Sequence, residues 1–120
     1  MTSFPVLFIS FLLIIKGNHC QRCSFADIIM EQNQTEIIVH SMPEFKVTLF
    51  NACPCLQTNI ILNCTDFKSA EKIEPNVLVI NGSKCSLPKG TFIPPFTGYV
   101  FSYAWDSLFP FKPLSSNPVC

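Results

Sequence analysis

Cysteine and histidine are the residues of this chain best suited to redox, metal or nucleophilic chemistry. Gly17-Asn18-His19-Cys20-Gln21-Arg22-Cys23 sets two thiols beside a histidine. In isolation that is a C-x-x-C redox or metal motif. Cys53-Pro54-Cys55 places two more thiols on the same side of an extended segment. Metal sites space their cysteines two to four residues apart and draw further ligands from His or Cys. Beyond residue 20 the chain offers one histidine, His40. Cysteines at i and i+2 are badly placed to bond each other, so Cys53 and Cys55 read as half-cystines bonded elsewhere. A nucleophilic site would have to use His40, whose acidic neighbours are Glu36 and Glu44. The eight acidic residues form no recognisable carboxylate pair of the glycosidase kind. The sequence therefore predicts no catalytic residue, no metal site and no cofactor.

The start of the chain decides what becomes of the first motif. Phe4 to Ile15 is apolar except for Ser10, with Pro5 near its start. It is too short to span a bilayer, which takes about 20 residues, and it ends in polar residues. It reads as a secretory signal peptide covering residues 1–20. Cleavage after Gly17 and cleavage after Cys20 both fit. The seven cysteines bear on the choice. Cleavage after Cys20 leaves an even set, Cys23, Cys53, Cys55, Cys64, Cys85 and Cys120, and an exported protein matures where disulfides persist. Spacing alone leaves 15 pairings open. Residues 21–120 then form one cysteine-rich domain of the size that commonly needs such staples. No later segment reads as a membrane span. Lys and Arg number eight, as do Asp and Glu, so the net charge is zero. That balance gives no footprint for nucleic acid or an acidic membrane surface. Asn33-Gln34-Thr35, Asn63-Cys64-Thr65 and Asn81-Gly82-Ser83 are acceptor triplets for N-glycosylation, a mark of surface loops in exported proteins.

The elements that position these residues have period two. Ile37-Ile38-Val39 is short and β-branched. Phe45, Val47 and Leu49 alternate with Lys46 and Thr48. Asn59 to Cys64 follows a polar turn. Val77 to Ile80 stops at Asn81-Gly82, a strong turn dipeptide, and Tyr99 to Trp105 is a further strand. Asp66 to Glu74 could make a helical turn or two. Ten prolines punctuate the chain. Short strands with frequent turn signals predict an all-β, disulfide-stabilised β-sandwich. In a strand, Asn63 and Thr65 face one side and Cys64 the other, so a glycan and a disulfide can share the segment.

Aromatic residues offer two binding readings. Tyr99, Phe101, Tyr103 and Trp105 recur every second residue, which suits a stacking platform for a sugar ring. The plainer reading makes them core filling, with Val100, Ser102 and Ala104 turned outward. Loops 86–97 and 106–115 hold Phe92, Phe96, Phe109 and Phe111 among prolines. These four are candidate contacts for a protein partner, or caps on the ends of the core. Proline lowers the entropy lost when such loops order on binding.

The order of the pieces resembles the tapetum determinant-like family of small secreted plant proteins. Cys23-Ser24-Phe25-Ala26-Asp27-Ile28 is similar to its opening C-S-x-x-D-I block. Phe45-Lys46-Val47-Thr48-Leu49-Phe50-Asn51-Ala52-Cys53 is similar to its y-x-V-x-I-x-N-x-C strand. Ile60 to Ser69 followed by Pro75 resembles I-x-L-x-C-x-x-F-x-S … P. Cys85, Phe101-Ser102-Tyr103-Ala104, Pro113, Ser116 and Cys120 complete the match over residues 23–120. Where family members often have C-L-V-N-D-G, this chain has Cys85-Ser86-Leu87-Pro88-Lys89-Gly90. The resemblance implies six cysteines acting as disulfide partners. It also implies a ligand secreted to the apoplast that binds the ectodomain of a leucine-rich-repeat receptor kinase in cell-fate determination. A cell-wall carbohydrate-binding module without catalytic activity is the alternative, and a secreted defence protein or inhibitor a third reading.

Overall fold

The computed structural model describes residues 23–120, so the expected signal peptide and both cleavage positions lie outside the described residues. After a 3-10 turn at Phe25–Asp27, capped by Ser24, come eight strands. They are β1 (Ile28–Val39), β2 (Met42–Asn51), β3 (Leu56–Asn63), β4 (Val79–Asn81), β5 (Lys84–Ser86), β6 (Phe92–Ile93), β7 (Gly98–Ala104) and β8 (Lys112–Val119). β1, β2 and β7 form one antiparallel sheet with β2 in the centre. β3 is the centre of the second sheet. β5 and β6 pair along one side of it, β8 along the other, and β4 lies beyond β5. The fold is all-β, held by three disulfides: Cys23–Cys53, Cys55–Cys120 and Cys64–Cys85. No described helix is long and apolar enough to cross a membrane.

Alternation along β2 sets the layers. Phe45, Val47 and Leu49 are buried, and register aligns them with Tyr103, Phe101 and Tyr99 of β7. Ile60 and Leu62 of β3, with Cys64, Cys85, Leu78, Leu87 and Ile93, join the same core. Phe67, Phe109 and Phe111 pack edge-on or tilted against one another and against Tyr103, with ring centroids about 5 Å apart. His40 and Ser41 close the β1–β2 hairpin in left-handed conformations, φ 49° and 66°, the geometry of a two-residue type I′ turn. His40 is thus an exposed hairpin tip, while Glu44 accepts the Thr35 hydroxyl at 2.8 Å.

Four details depart from the sequence reading. The helical turn expected over Asp66 to Glu74 is instead a strap along the edge of β7, because Ala70 N–H donates to the Ala104 carbonyl and Ala104 N–H to Ser69 Oγ. That strap covers Ala104, which is fully buried rather than turned outward. β1 is a 12-residue strand, of which only Ile37-Ile38-Val39 was expected. The expected loop over 106–115 gives way at Lys112 to β8. It is an edge strand, and an edge tolerates Pro113 and Pro118 because their missing N–H groups cost the ladder nothing there.

Candidate functional site

The ends of the two sheets meet where β1 begins, β2 ends, β3 begins, β7 begins and β8 ends. Two disulfides close this cystine end. Cys23–Cys53 ties the amino-terminal turn to the segment after β2, and Cys55–Cys120 ties the start of β3 to the residue after β8. The sulphurs of Cys23, Cys53 and Cys55 lie within 4.8 Å of one another. Each is half of a cystine, and a cystine sulphur is not the thiolate that metal binding or nucleophilic attack requires.

Asn51 is the hub of this end. Its side chain is fully buried. Nδ2 donates to the carbonyls of Cys55 at 2.8 Å, Ile93 at 2.9 Å and Pro94 at 3.2 Å, and Oδ1 accepts from Cys53 N–H at 3.1 Å. One side chain thereby fixes both the Cys53-Pro54-Cys55 loop and the loop after β6. Its backbone adds two more bonds: Asn51 N–H donates to Thr97 O, and Phe96 N–H donates to Asn51 O. Gln57, also fully buried, ties the amino-terminal turn to β8 through Ser24 O and Ser116 Oγ. The sequence placed Asn51 inside a recognisable block but gave no sign of its role. The signal was an amide at a position where the β2 alternation asks for an apolar residue.

On this frame Phe25, Ile29, Phe92, Phe96, Val100 and Val119 stand between 43% and 60% exposed. Register divides them between the two sheets. Ile29, Phe50 and Gly98 share a row on the outer face of the three-stranded sheet, next to the Glu31, Thr48 and Val100 row. Phe92 pairs with Thr58, and Val119 with Leu56, at the start of β3. Phe96 lies in the connection from β6 to β7 with φ 57°, a left-handed conformation unusual for a bulky residue. The bond from Phe96 N–H to Asn51 O, with Thr97 Oγ1 donating to Pro94 O at 2.8 Å, holds it there.

The four expected contact phenylalanines therefore divide. Phe92 and Phe96 are exposed. Phe111 is buried in the core and Phe109 is half-buried against it, which corrects their reading as contact residues. The cause is a pair of bonds to the Phe109 backbone: its N–H donates to Tyr103 Oη at 2.8 Å, and its carbonyl accepts from Gln32 Nε2 at 2.6 Å. These pull the 106–111 segment inward. The sugar platform fails for a related reason. Phe101 and Tyr103 are buried, and Tyr99 and Trp105 are half-buried against the same core. Burial pushes the pKa of Tyr99 and Tyr103 above the ordinary phenol value, so both hydroxyls stay protonated donors, to Val77 O and Gln32 Oε1. The open groove of about 360 Å³ beside the β3 bulge is lined by Asn59, Ile61, Ser86, Leu87 and Lys89. It presents a single titratable group and so no acid–base pair.

The three acceptor asparagines lie on outward sheet faces, Asn33 and Asn81 exposed and Asn63 half-buried. Asn33 is exposed on β1, opposite Lys46. Asn63 closes β3, and Asn81 lies exposed at the β4–β5 turn.

A family model described as Tapetum determinant 1, C-terminal, matches residues 24–120. Among curated proteins, TPD1 protein homolog 1B of Oryza sativa subsp. japonica is 26% identical over 90 residues, covering 73% of this chain and 53% of that protein. The chain thus spans about half the length of that relative. No solved structure matches it.

Proposed function

Since the chain belongs to the tapetum determinant family, we propose that it is a secreted signalling ligand that acts by docking its cystine end onto the ectodomain of a leucine-rich-repeat receptor kinase. Its role on this reading is cell-fate determination of the tapetal type, and it performs no chemistry. One observation carries the docking: exposed Phe92 and Phe96 stand on backbone fixed by the Asn51 hub, and exposed Phe25 and Val119 stand beside the half-cystines Cys23 and Cys120. Exposed apolar groups on a preorganised frame lose little entropy on binding, so their burial appears as affinity. Phe96 supports this further, since a bulky residue held at φ 57° persists only where its surroundings enforce it. A receptor solenoid offers an extended concave surface into which such an end fits.

The test is a panel of leucine-rich-repeat ectodomains probed with wild-type protein and the Phe92→Ser, Phe96→Ser double variant. Both positions are exposed, so the variant stays folded. An anchor of hot-spot quality is worth about 2 kcal/mol or more, so each loss weakens binding by roughly 30-fold. A folded double variant that binds like the wild type sinks the docking assignment.

A further inference from the structure

The three acceptor triplets do more than mark export. We propose that Asn33, Asn63 and Asn81 all carry N-linked glycans, which sheathe the parts of the outward sheet faces beyond the cystine end and leave that end bare. The inference rests on the export part of the reading above, because the modification takes place in the secretory pathway. The chemistry is a glycosyl transfer from an oligosaccharide carried on a lipid diphosphate. Asn Nδ2 forms a bond to the anomeric carbon, the bond from that carbon to the diphosphate oxygen breaks, Nδ2 gives up a proton, and the lipid diphosphate departs.

Placement carries the argument. In register, Asn63 of β3 pairs with Lys84 of β5, and Lys84 pairs with Asn81 of β4. Paired residues share a sheet face, so Asn63 and Asn81 stand on the same outward face two strand spacings apart, about 10 Å. Val79, an exposed apolar residue of β4, shares that face two residues along the strand. Two glycans there cover a face that is otherwise partly apolar. Asn63 is ready for this use. Its Oδ1 accepts from Thr65 N–H at 3.1 Å and Thr65 Oγ1 at 2.7 Å, which leaves Nδ2, the atom that takes the sugar, uncommitted among the described residues. Between them Cys64 turns inward to Cys85, so the glycan and the disulfide occupy opposite sides of the strand. Asn33 does the same work on the other sheet, where its row continues into Lys46 and Ser102. Asn51 provides the internal contrast. It is fully buried and its Nδ2 is engaged by three carbonyls, so it is structural.

The experiment uses the full chain secreted from a eukaryotic host, treated with peptide N-glycosidase and mapped by peptide mass spectrometry. Enzymatic release leaves Asp where a glycosylated Asn stood. The expected result is Asp at positions 33, 63 and 81 and Asn at 51. Ser83→Ala keeps Asn81 but destroys its acceptor triplet, and its secreted chain should be lighter by one glycan. An unmodified asparagine at any of the three positions overturns the proposal. Three glycans on a chain that binds no ectodomain uphold the sites and sink the receptor reading. A bare chain that binds an ectodomain does the reverse. A chain neither exported nor modified overturns both.

Discussion

Replacing Asn51 tests whether the cystine end is built around one amide. Asn51→Ala removes four side-chain hydrogen bonds at a fully buried position. Cys53 N–H becomes a buried donor with nothing to bond, which costs about 1–3 kcal/mol. The carbonyls of Cys55, Ile93 and Pro94 lose less each, since a carbonyl has two lone pairs and the vacated space admits some water. A total near 3–4 kcal/mol follows, against the roughly 5–15 kcal/mol by which a domain is stable. For a domain of this size that lowers the melting temperature by roughly 15–25 °C. Asn51→Asp sharpens the result. It keeps the acceptor for Cys53 N–H but turns an oxygen toward three carbonyls, so at neutral pH it should melt at least as early as the alanine variant. Circular dichroism of the oxidised proteins reads both, with exposed Asn117→Ala as the control expected to stay within about 0.5 kcal/mol. If Asn51→Ala melts within a few degrees of wild type, the hub is not what orders this end.

Two further outcomes follow from the core and from a carboxyl pair. Phe111→Ala should cost about 3–5 kcal/mol, because it empties a site packed against Phe67, Phe101, Tyr103 and Phe109. Denaturant titration beside Phe92→Ala, expected near neutral, separates the core phenylalanine from the exposed one, and equal losses would contradict that division. Glu71 on the strap lies against Glu44 of β2. Its pKa is raised above the ordinary carboxylate value, first by burial and then by the neighbouring Glu44 carboxyl. The folded state therefore holds this proton more tightly than the unfolded chain. The resulting stability is fully present below pH 4.5 and is lost as pH rises through the raised value. Thermal melts of wild type and Glu71→Gln across acid to neutral pH should diverge, with wild type falling relative to the variant as pH rises. Parallel profiles would contradict the pairing.

The sequence showed a strand plainly wherever one face was uniformly apolar, as with Phe45, Val47 and Leu49. It misled where the inward position was polar. Gln32 turns into the sandwich and is satisfied there by the Phe109 carbonyl and the Tyr103 hydroxyl, partners 77 and 71 residues away in sequence. No local pattern announces bonds of that range, so most of β1 looked like polar loop. The same bonds explain the error at Phe109 and Phe111, whose proline-rich surroundings suggested exposure. Cys53 and Cys55 were legible as half-cystines because geometry forbids their joining each other, while their partners, Cys23 and Cys120, came only with the fold.

The two ends of the sandwich are ordered by different means, and the difference follows from what each exposes. At the end where Tyr103 lies, Phe67, Phe109 and Phe111 are packed together, and that burial joins the strap's bonds to Ala104 and the Phe109 backbone bonds in holding the strap and the 106–111 segment in place. Under the docking proposal, an end that presents Phe92 and Phe96 to a partner cannot also draw its order from burying them. Its rigidity has to come from bonds that leave those side chains outside. The cystine end has two disulfides, a buried asparagine amide and a buried glutamine amide, and none of these uses the exposed phenylalanines. A surface stabilised in this way can stay apolar and fixed without a partner, which is the condition the docking proposal needs for binding without a large ordering cost.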